Sequence, residues 1–459
     1  MDEIPPLYEH QEKMAMFAIN NDRVLNTSDP GTGKTRGTLE GYLRRSRWHE
    51  TGRLLVVAPL SILKPAWGDD IKKYFPGLSY AIAHGNEYKR RQALESTTDI
   101  VLLNHDGIKW LQKNPELLPG FTDLVIDEFT AFKNGSAQRS KSMLKASKNF
   151  EHITLLSGSP NPNTILDMWH PAKILDDGDR LGRQYTKFRL QVCNPEQVGP
   201  GALHIKWVDK PEANDVVADA LSDITIRFNM DDCLDIPENI LSYLKIDMPD
   251  KVMKAYKTMR DDALLETSQG TVTAIHAGSK VKKMLQVLSG AVYDQSGIIH
   301  SIHNSRYDLV MQLVMEREHT LVAFNWKHER EALVALAEKA GITYAVIDGS
   351  VSSGIRAKAV ADMQAGKLKV LFCQPASAAH GLTLTKALTT IWCTPTYNAE
   401  HFQQFNRRIY RSGQTKKTET ICIAANDTHE VEVYERLNGK LDRMSDMLSL
   451  FSELTKDAA

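Results

Sequence analysis

The feature that most constrains this chain is a short apolar run that breaks into a glycine-rich loop and then a helix. Val24-Leu25-Asn26-Thr27 reads as a strand, and Ser28-Asp29-Pro30-Gly31-Thr32-Gly33-Lys34-Thr35 follows it directly, ahead of a helical pattern. A helix N-terminus preceded by small residues points several backbone N–H groups at one place. A lysine there adds a mobile charge, and a threonine hydroxyl can ligate Mg2+. Together these suit a triphosphate. Ser28 stands where the strict G-x-x-x-x-G-K-[ST] pattern has its first glycine. About ninety residues on, the apolar Leu124-Val125-Ile126 ends in Asp127-Glu128. There Asp127 can hold the metal, and Glu128 can polarise the attacking water.

Other short apolar runs separate longer amphipathic stretches: Leu54–Ala58, Ile100–Leu103 and Ile153–Leu156, then Thr320–Phe324, Tyr344–Ile347, Val370–Cys373, Thr390–Cys393 and Thr420–Ala424. They read as buried parallel strands with helices between them, so two α/β lobes are expected. At 459 residues the chain has room for both. Between them, Pro, Gly and Asn cluster near residues 194–201, and 251–292 looks helical. This part reads as connector and insertion. Tyr434, Leu437, Leu441, Met444, Leu448 and Phe451 repeat at helical spacing, which predicts a terminal helix packed on the second lobe.

Composition narrows the classes. The 56 Lys and Arg nearly cancel the 57 Asp and Glu, so a polyanion must be held by a local patch rather than by overall attraction. The five cysteines never form a C-x-x-C pair, which argues against a disulfide framework or a cysteine-built zinc site. The acidic, proline-broken N-terminus is unlike a signal peptide, and the longest apolar run, near Leu54–Leu63, falls short of a membrane span. An intracellular, cytoplasmic setting is expected, in a bacterial or phage-infected cell.

An ordered series of motifs resembles the Swi/Snf-like branch of the superfamily-two helicase-fold ATPases, over residues 7 to 415. Leu7-Tyr8-Glu9-His10-Gln11 resembles the adenine-reading Q motif, and Asp29 to Thr35 motif I, with Pro30 and Thr32 where the family usually has Met and Leu. Leu55 to Leu63 with Trp67 is similar to motif Ia, and Leu103-Asn104-His105-Asp106 to Ib. Asp127-Glu128-Phe129-Thr130 resembles motif II with Phe-Thr replacing Ala-His, and Leu156-Ser157-Gly158-Ser159-Pro160 resembles motif III. In the second half, Val322 to Asn325 resembles motif IV, Ala376 to Leu384 motif V and Gln404 to Gln414 motif VI.

The resemblance implies two RecA-like P-loop lobes, parallel sheets flanked by helices, with a helical insertion between them. Residues 1–235 would form the N-terminal lobe, 236–300 the connector and insertion, 301–430 the C-terminal lobe and 431–459 a helix on the latter. It further implies ATP and Mg2+. Tyr8, Gln11, Asp29, Gly31, Thr32, Gly33, Lys34 and Thr35 would bind the nucleotide, with Thr35 and Asp127 on the metal. Lys34, Asp127, Glu128, Arg408 and Arg411 would be catalytic, the two arginines reaching across from the second lobe. Ser157, Gly158, Ser159, Gly381, Gln404 and Gln414 would couple nucleotide state to movement.

DNA is the implied partner, duplex or branched, gripped through backbone phosphates by Ser61, Lys64, Asn104, Lys133, Arg139, Asn325, Lys327 and Thr383. Residues 129–150 also carry Lys133, Arg139, Lys141, Lys145 and Lys148 with no acid, a segment able to touch several phosphates. With no wedge domain or aromatic hairpin legible, translocation on duplex DNA is the expected activity. A strand-separating DNA or RNA helicase and a nucleotide-gated scaffold without turnover are the alternatives.

Overall fold

Apolar runs with no polar face become the central strands of two parallel sheets, whose faces are covered by the helices that make each crossover. In the computed structural model, residues 4–49, 52–161, 163–198, 205–233, 236–268, 274–294, 296–378 and 382–456 are described. They form two compact units, Met1–Asp235 with Lys440–Ala459, and Ile236–Gly439.

In the first unit the chain lays down β1 (Arg23–Asn26), β2 (Arg53–Ala58), β3 (Tyr80–Ala83), β4 (Ile100–Asn104), β5 (Phe121–Asp127) and β6 (His152–Leu156). A hairpin follows, β7 (Cys193–Gln197) paired antiparallel with β8 (Ile205–Asp209), and then the two-residue β9 (Thr225–Ile226). The sheet order is β3-β4-β2-β5-β6-β1-β9, with every pairing parallel. Val101, Leu103, Leu124, Ile126, Ile153 and Leu155 lie in the core of one face, and Leu54, Val56, Ile100 and Leu102 in that of the other. The stretch near residues 194–201, read from sequence as connector, thus begins in a hairpin strand, and Trp207 lies on the strand paired with it.

The second unit contains β10 (Asn239–Ile246), the hairpin β11 (Ala291–Tyr293) and β12 (Ile299–Ser301), β13 (Thr320–Ala323), β14 (Tyr344–Ile347), β15 (Val370–Cys373), β16 (Thr389–Trp392) and β17 (Thr418–Ala425). Its sheet runs β10-β17-β16-β13-β15-β14, again parallel throughout. A buried ion pair at 2.6 Å, Arg306 with Glu430, ties the helix Ser305–Met315 to the start of the last helix. β10 falls in the segment expected to be a connector, yet it is the edge strand of this sheet. Helices Asp250–Ser268 and Ala274–Ser289 occupy the stretch that looked helical.

The last helix, His429–Lys456, meets the expectation in its first turns, where Tyr434 packs on Tyr243 of β10 with ring centroids 5.4 Å apart, and departs from it further on. Met444, Met447, Leu448 and Phe451 are buried in the core of the first unit, not on the second. A 3-and-4 spacing identifies the buried face of a helix but not the surface that buries it. Among the described residues no helix is long and apolar enough to cross a membrane.

Candidate functional site

β5, β6 and β1 are neighbours in the first sheet and run parallel, so their carboxyl ends open onto one edge. Asp127 stands opposite Leu156, and Leu156 opposite Asn26, so the three chains leave the sheet side by side. Ligands of open parallel sheets bind at such an edge. After β1 the loop turns through Gly31 and Gly33, with φ of +97° and +81°, values that side chains disfavour. It then enters α2 (Lys34–His49), which puts Thr35 in the first turn. The Lys34 ammonium donates to the carbonyls of Ser28 at 2.6 Å and Asp29 at 3.1 Å. Burial pushes its pKa below the usual lysine range, against the opposing charges of Glu128, Asp127 and Asp29.

Asp127 is held from both sides. Trp67 Nε1 donates to one carboxylate oxygen at 2.9 Å and the Glu128 amide to the other at 3.1 Å. Burial raises this carboxyl above its usual range, opposed by the Trp67 hydrogen bond and by Lys34. Glu128 sits in left-handed backbone, φ +53°, and accepts a hydrogen bond from Ser157 Oγ at 3.2 Å. A non-glycine residue in that region is strained and is found where geometry matters for chemistry. The His105 ring, its pKa pushed down to about 4 by burial, is neutral near pH 7 and donates to the Asp127 carbonyl at 2.8 Å.

Ser157, Gly158 and Ser159 therefore line the same edge as the loop and the acids. The Ser157 amide donates to the Asn26 carbonyl, and Ser157 Oγ accepts from the Ser159 amide. A Cβ on Gly158 would lie 2.6 Å from Pro30 Cδ, so the loop and this segment approach closely because residue 158 has no side chain. Ahead of the site, α1 (Glu9–Asn20) brings Gln11 and His10 onto the Thr32 carbonyl, at 3.4 and 2.8 Å. Tyr8, half exposed, stacks on His10 with centroids 5.6 Å apart.

Three loop partners were invisible in the sequence. Arg227 Nη2 pairs with Asp29 Oδ1 at 2.9 Å, its Nη1 donates to the Thr27 carbonyl, and the Met230 amide donates to Asp29 Oδ2 at 3.2 Å. The Phe228 amide donates to Ser28 Oγ at 3.0 Å and its carbonyl accepts from the Asp29 amide. Ser28 thus uses the hydroxyl that replaces the expected glycine to dock the segment after β9, and Asp29 turns its carboxylate to that brace. Both members of the Arg227–Asp29 pair are buried. Arg227→Met is expected to lower unfolding stability by about 3 kcal/mol, because the buried Asp29 carboxylate loses the guanidinium that balances it. Adding Asp29→Asn should recover part of that loss in a denaturant titration; two additive losses would contradict the account.

In the second unit, Arg408 and Arg411 converge on one acceptor, the Leu382 carbonyl, at 3.2 and 2.9 Å. Arg408 Nε also donates to the Gln404 carbonyl at 2.6 Å. Gln414 donates to the carbonyls of Thr385 and Ile409, at 3.0 and 3.2 Å, joining the two segments that resemble motifs V and VI. Gln404 is buried, bonded to Glu400 at 3.3 Å, with its Oε1 unpaired. Gly381 lies outside the described residues.

The expected phosphate-gripping residues divide. Ser61 and Lys64 follow β2 and Asn104 ends the adjacent β4, all at the carboxyl edge. Lys327 and Thr383 are exposed, the former within 3.6 Å of Glu331 one helical turn on. Lys133, Arg139 and Asn325, in contrast, are engaged within the fold. Lys133 pairs with Asp167 at 3.3 Å, and Arg139 packs on Phe132 and donates to the Ala131 carbonyl. The Asn325 amide donates to Thr394 Oγ1 and the Pro395 carbonyl, at 3.0 and 3.1 Å. Of the basic segment 129–150, Lys141 and Lys145 on the helix Gln138–Ser147 are exposed, and no described carboxylate pairs with either.

Comparison with known proteins agrees with this geometry. Residues 10–294 match the model of the SNF2-related domain, and residues 305–413 that of the helicase conserved C-terminal domain. A putative protein p41 of Acyrthosiphon pisum secondary endosymbiont phage 1 is 29% identical over 457 residues, 95% of this chain and 96% of that protein. The bovine (Bos taurus) DNA annealing helicase and endonuclease ZRANB3 is 24% identical over 458 residues, 95% of this chain but only 40% of its own length. Among solved structures, the Sulfolobus solfataricus SWI2/SNF2 ATPase core in complex with dsDNA aligns with a TM-score of 0.45 at 20% identity, covering 97% of this chain and 93% of that one.

Proposed function

We propose, from the premise that this chain belongs to the SNF2-related domain family and carries its helicase C-terminal domain, that it hydrolyses ATP to translocate along duplex or branched DNA. One observation carries the reading: a lysine at a helix start and two acids at a strand end share the carboxyl edge of one parallel sheet. Lys34 gives up its carbonyl partners for phosphate oxygens, and the amides at the start of α2 face the same charge. Tyr8 and Gln11 border the loop where a base would lie.

The Thr35 hydroxyl and the Asp127 carboxylate are hard oxygen donors, fit for Mg2+, and Trp67 orients Asp127 for that role. A bound Mg2+ neutralises phosphate charge. Glu128, fixed by its backbone and by Ser157, takes the proton of the attacking water. Arg408 and Arg411 supply positive charge to the transition state. The name of the ZRANB3 relative, a DNA annealing helicase, supports DNA as the polymer acted on.

The test is ATP turnover measured with blunt duplex, forked DNA, single strands and RNA. Duplex and fork are expected to stimulate turnover most, with an effect that falls steeply as salt rises. Turnover that ignores duplex DNA would defeat the translocase reading, and displacement of a paired strand would favour the helicase instead.

A further inference from the structure

We infer that the first unit carries, apart from its nucleotide loop, a stacking platform for a single-stranded DNA arm, built by Trp169, Tyr185, Arg189 and Trp207. The inference rests on the DNA-motor reading and names a form of the substrate. The helix Tyr185–Val192 runs into the β7–β8 hairpin, and the two bring these side chains together. The Arg189 guanidinium lies 4.0 Å from the centroid of the Trp207 ring and 5.5 Å from that of Tyr185. Tyr185 meets Trp169 edge to face, centroids 5.3 Å apart, and the Lys173 ammonium sits 5.0 Å over Trp169.

Trp169 and Trp207 pack against the core of the first unit without being enclosed by it. Tyr185 is 38% exposed, and Trp169 and Trp207 are half-buried. Residues 183–192 contribute Arg183, Lys187 and Arg189 and no acid, while Asp167, from outside that stretch, is the acid that acts on Tyr185. Among the described residues no carboxylate pairs with Arg189, and its buried Nε makes no hydrogen bond. Lys173 donates its ammonium to the neutral Arg183 carbonyl at 2.8 Å, with Asp177 the acid that its charge reaches. A half-exposed guanidinium held over aromatic faces keeps its charge available to a further anion. The ligand that offers anions and flat faces together is a single nucleic-acid strand, whose bases stack on rings while its phosphates meet Arg and Lys. Duplex offers the phosphates but hides the faces.

The experiment measures anisotropy of a labelled oligothymidylate and of a blunt duplex with the full chain, its Tyr185→Ala, Tyr185→Phe and Arg189→Ala variants, and a thermal melt of each. Tyr185→Ala and Arg189→Ala are expected to weaken oligothymidylate binding about tenfold and duplex binding less than about twofold, while Tyr185→Phe keeps the stack and the affinity. Unchanged oligothymidylate affinity, equal losses on both DNAs, a Phe variant as weak as Ala, or a wild-type chain that ignores the oligothymidylate overturns the inference. Wild-type turnover on duplex is recorded alongside. Turnover without stimulation, combined with selective loss in the variants, sinks the motor reading and leaves the platform standing.

Discussion

Lys34→Ala is expected to lower ATP turnover by on the order of 10³-fold, and Glu128→Gln by about 10²- to 10⁴-fold, through different steps. Lys34 is held on the Ser28 and Asp29 carbonyls, and the negative charge of Glu128, Asp127 and Asp29 opposes the cost of its burial. Removing it takes away the charge that attracts a triphosphate, so nucleotide affinity should fall along with turnover. Glu128→Gln keeps the shape of the side chain and can still accept from Ser157 Oγ, but it cannot take a proton. It should therefore bind nucleotide close to normally and turn over poorly. Phosphate release and equilibrium binding of a fluorescent ATP analogue separate the two effects. Near-normal turnover by Glu128→Gln would remove it from the role of base. Weak nucleotide binding with no turnover in the unmodified chain would instead leave a scaffold without catalysis.

The candidate phosphate loop was legible because its chemistry is local. Strand, glycines, lysine and threonine lie within about a dozen consecutive residues, and φ above zero at Gly31 and Gly33 is what glycine permits. Its brace was not legible. Arg227 and Phe228 come some two hundred residues later, after a two-residue strand too short to show alternation. Strand β10 was missed for another reason: as an edge strand it leaves Ile240, Leu241 and Tyr243 exposed, so neither a buried run nor a clean alternation marks it. The basic segment 129–150 shows the limit of counting charges, because Lys133, Arg139 and Lys148 find Asp167, Asp106 and Asp177 from outside it. The stripe of the last helix was correct as a face and silent about its partner.

Arg408→Lys and Arg411→Lys should each cut kcat by about 10³- to 10⁵-fold if that arginine serves the transition state of phosphoryl transfer. Lysine is the informative replacement, since it preserves the charge and much of the stem but loses the planar fork that can hold two oxygens at once. It also limits a structural complication. Arg408 is 6% exposed and anchored to the Gln404 and Leu382 carbonyls, so truncation to Ala would open the second unit's packing as well as remove the fork. Arg411 is less buried, which makes its variant the cleaner measurement. Nucleotide affinity should change little in either case, because Lys34, Gln11 and Thr35 belong to the first unit. The neighbouring Arg407, whose guanidinium lies 5.0 Å from the Tyr410 ring, is the control: Arg407→Lys should leave kcat within about threefold. A kcat within about tenfold of normal in both the Arg408 and Arg411 variants would strip the pair of its catalytic assignment, since even one finger contributes more than that.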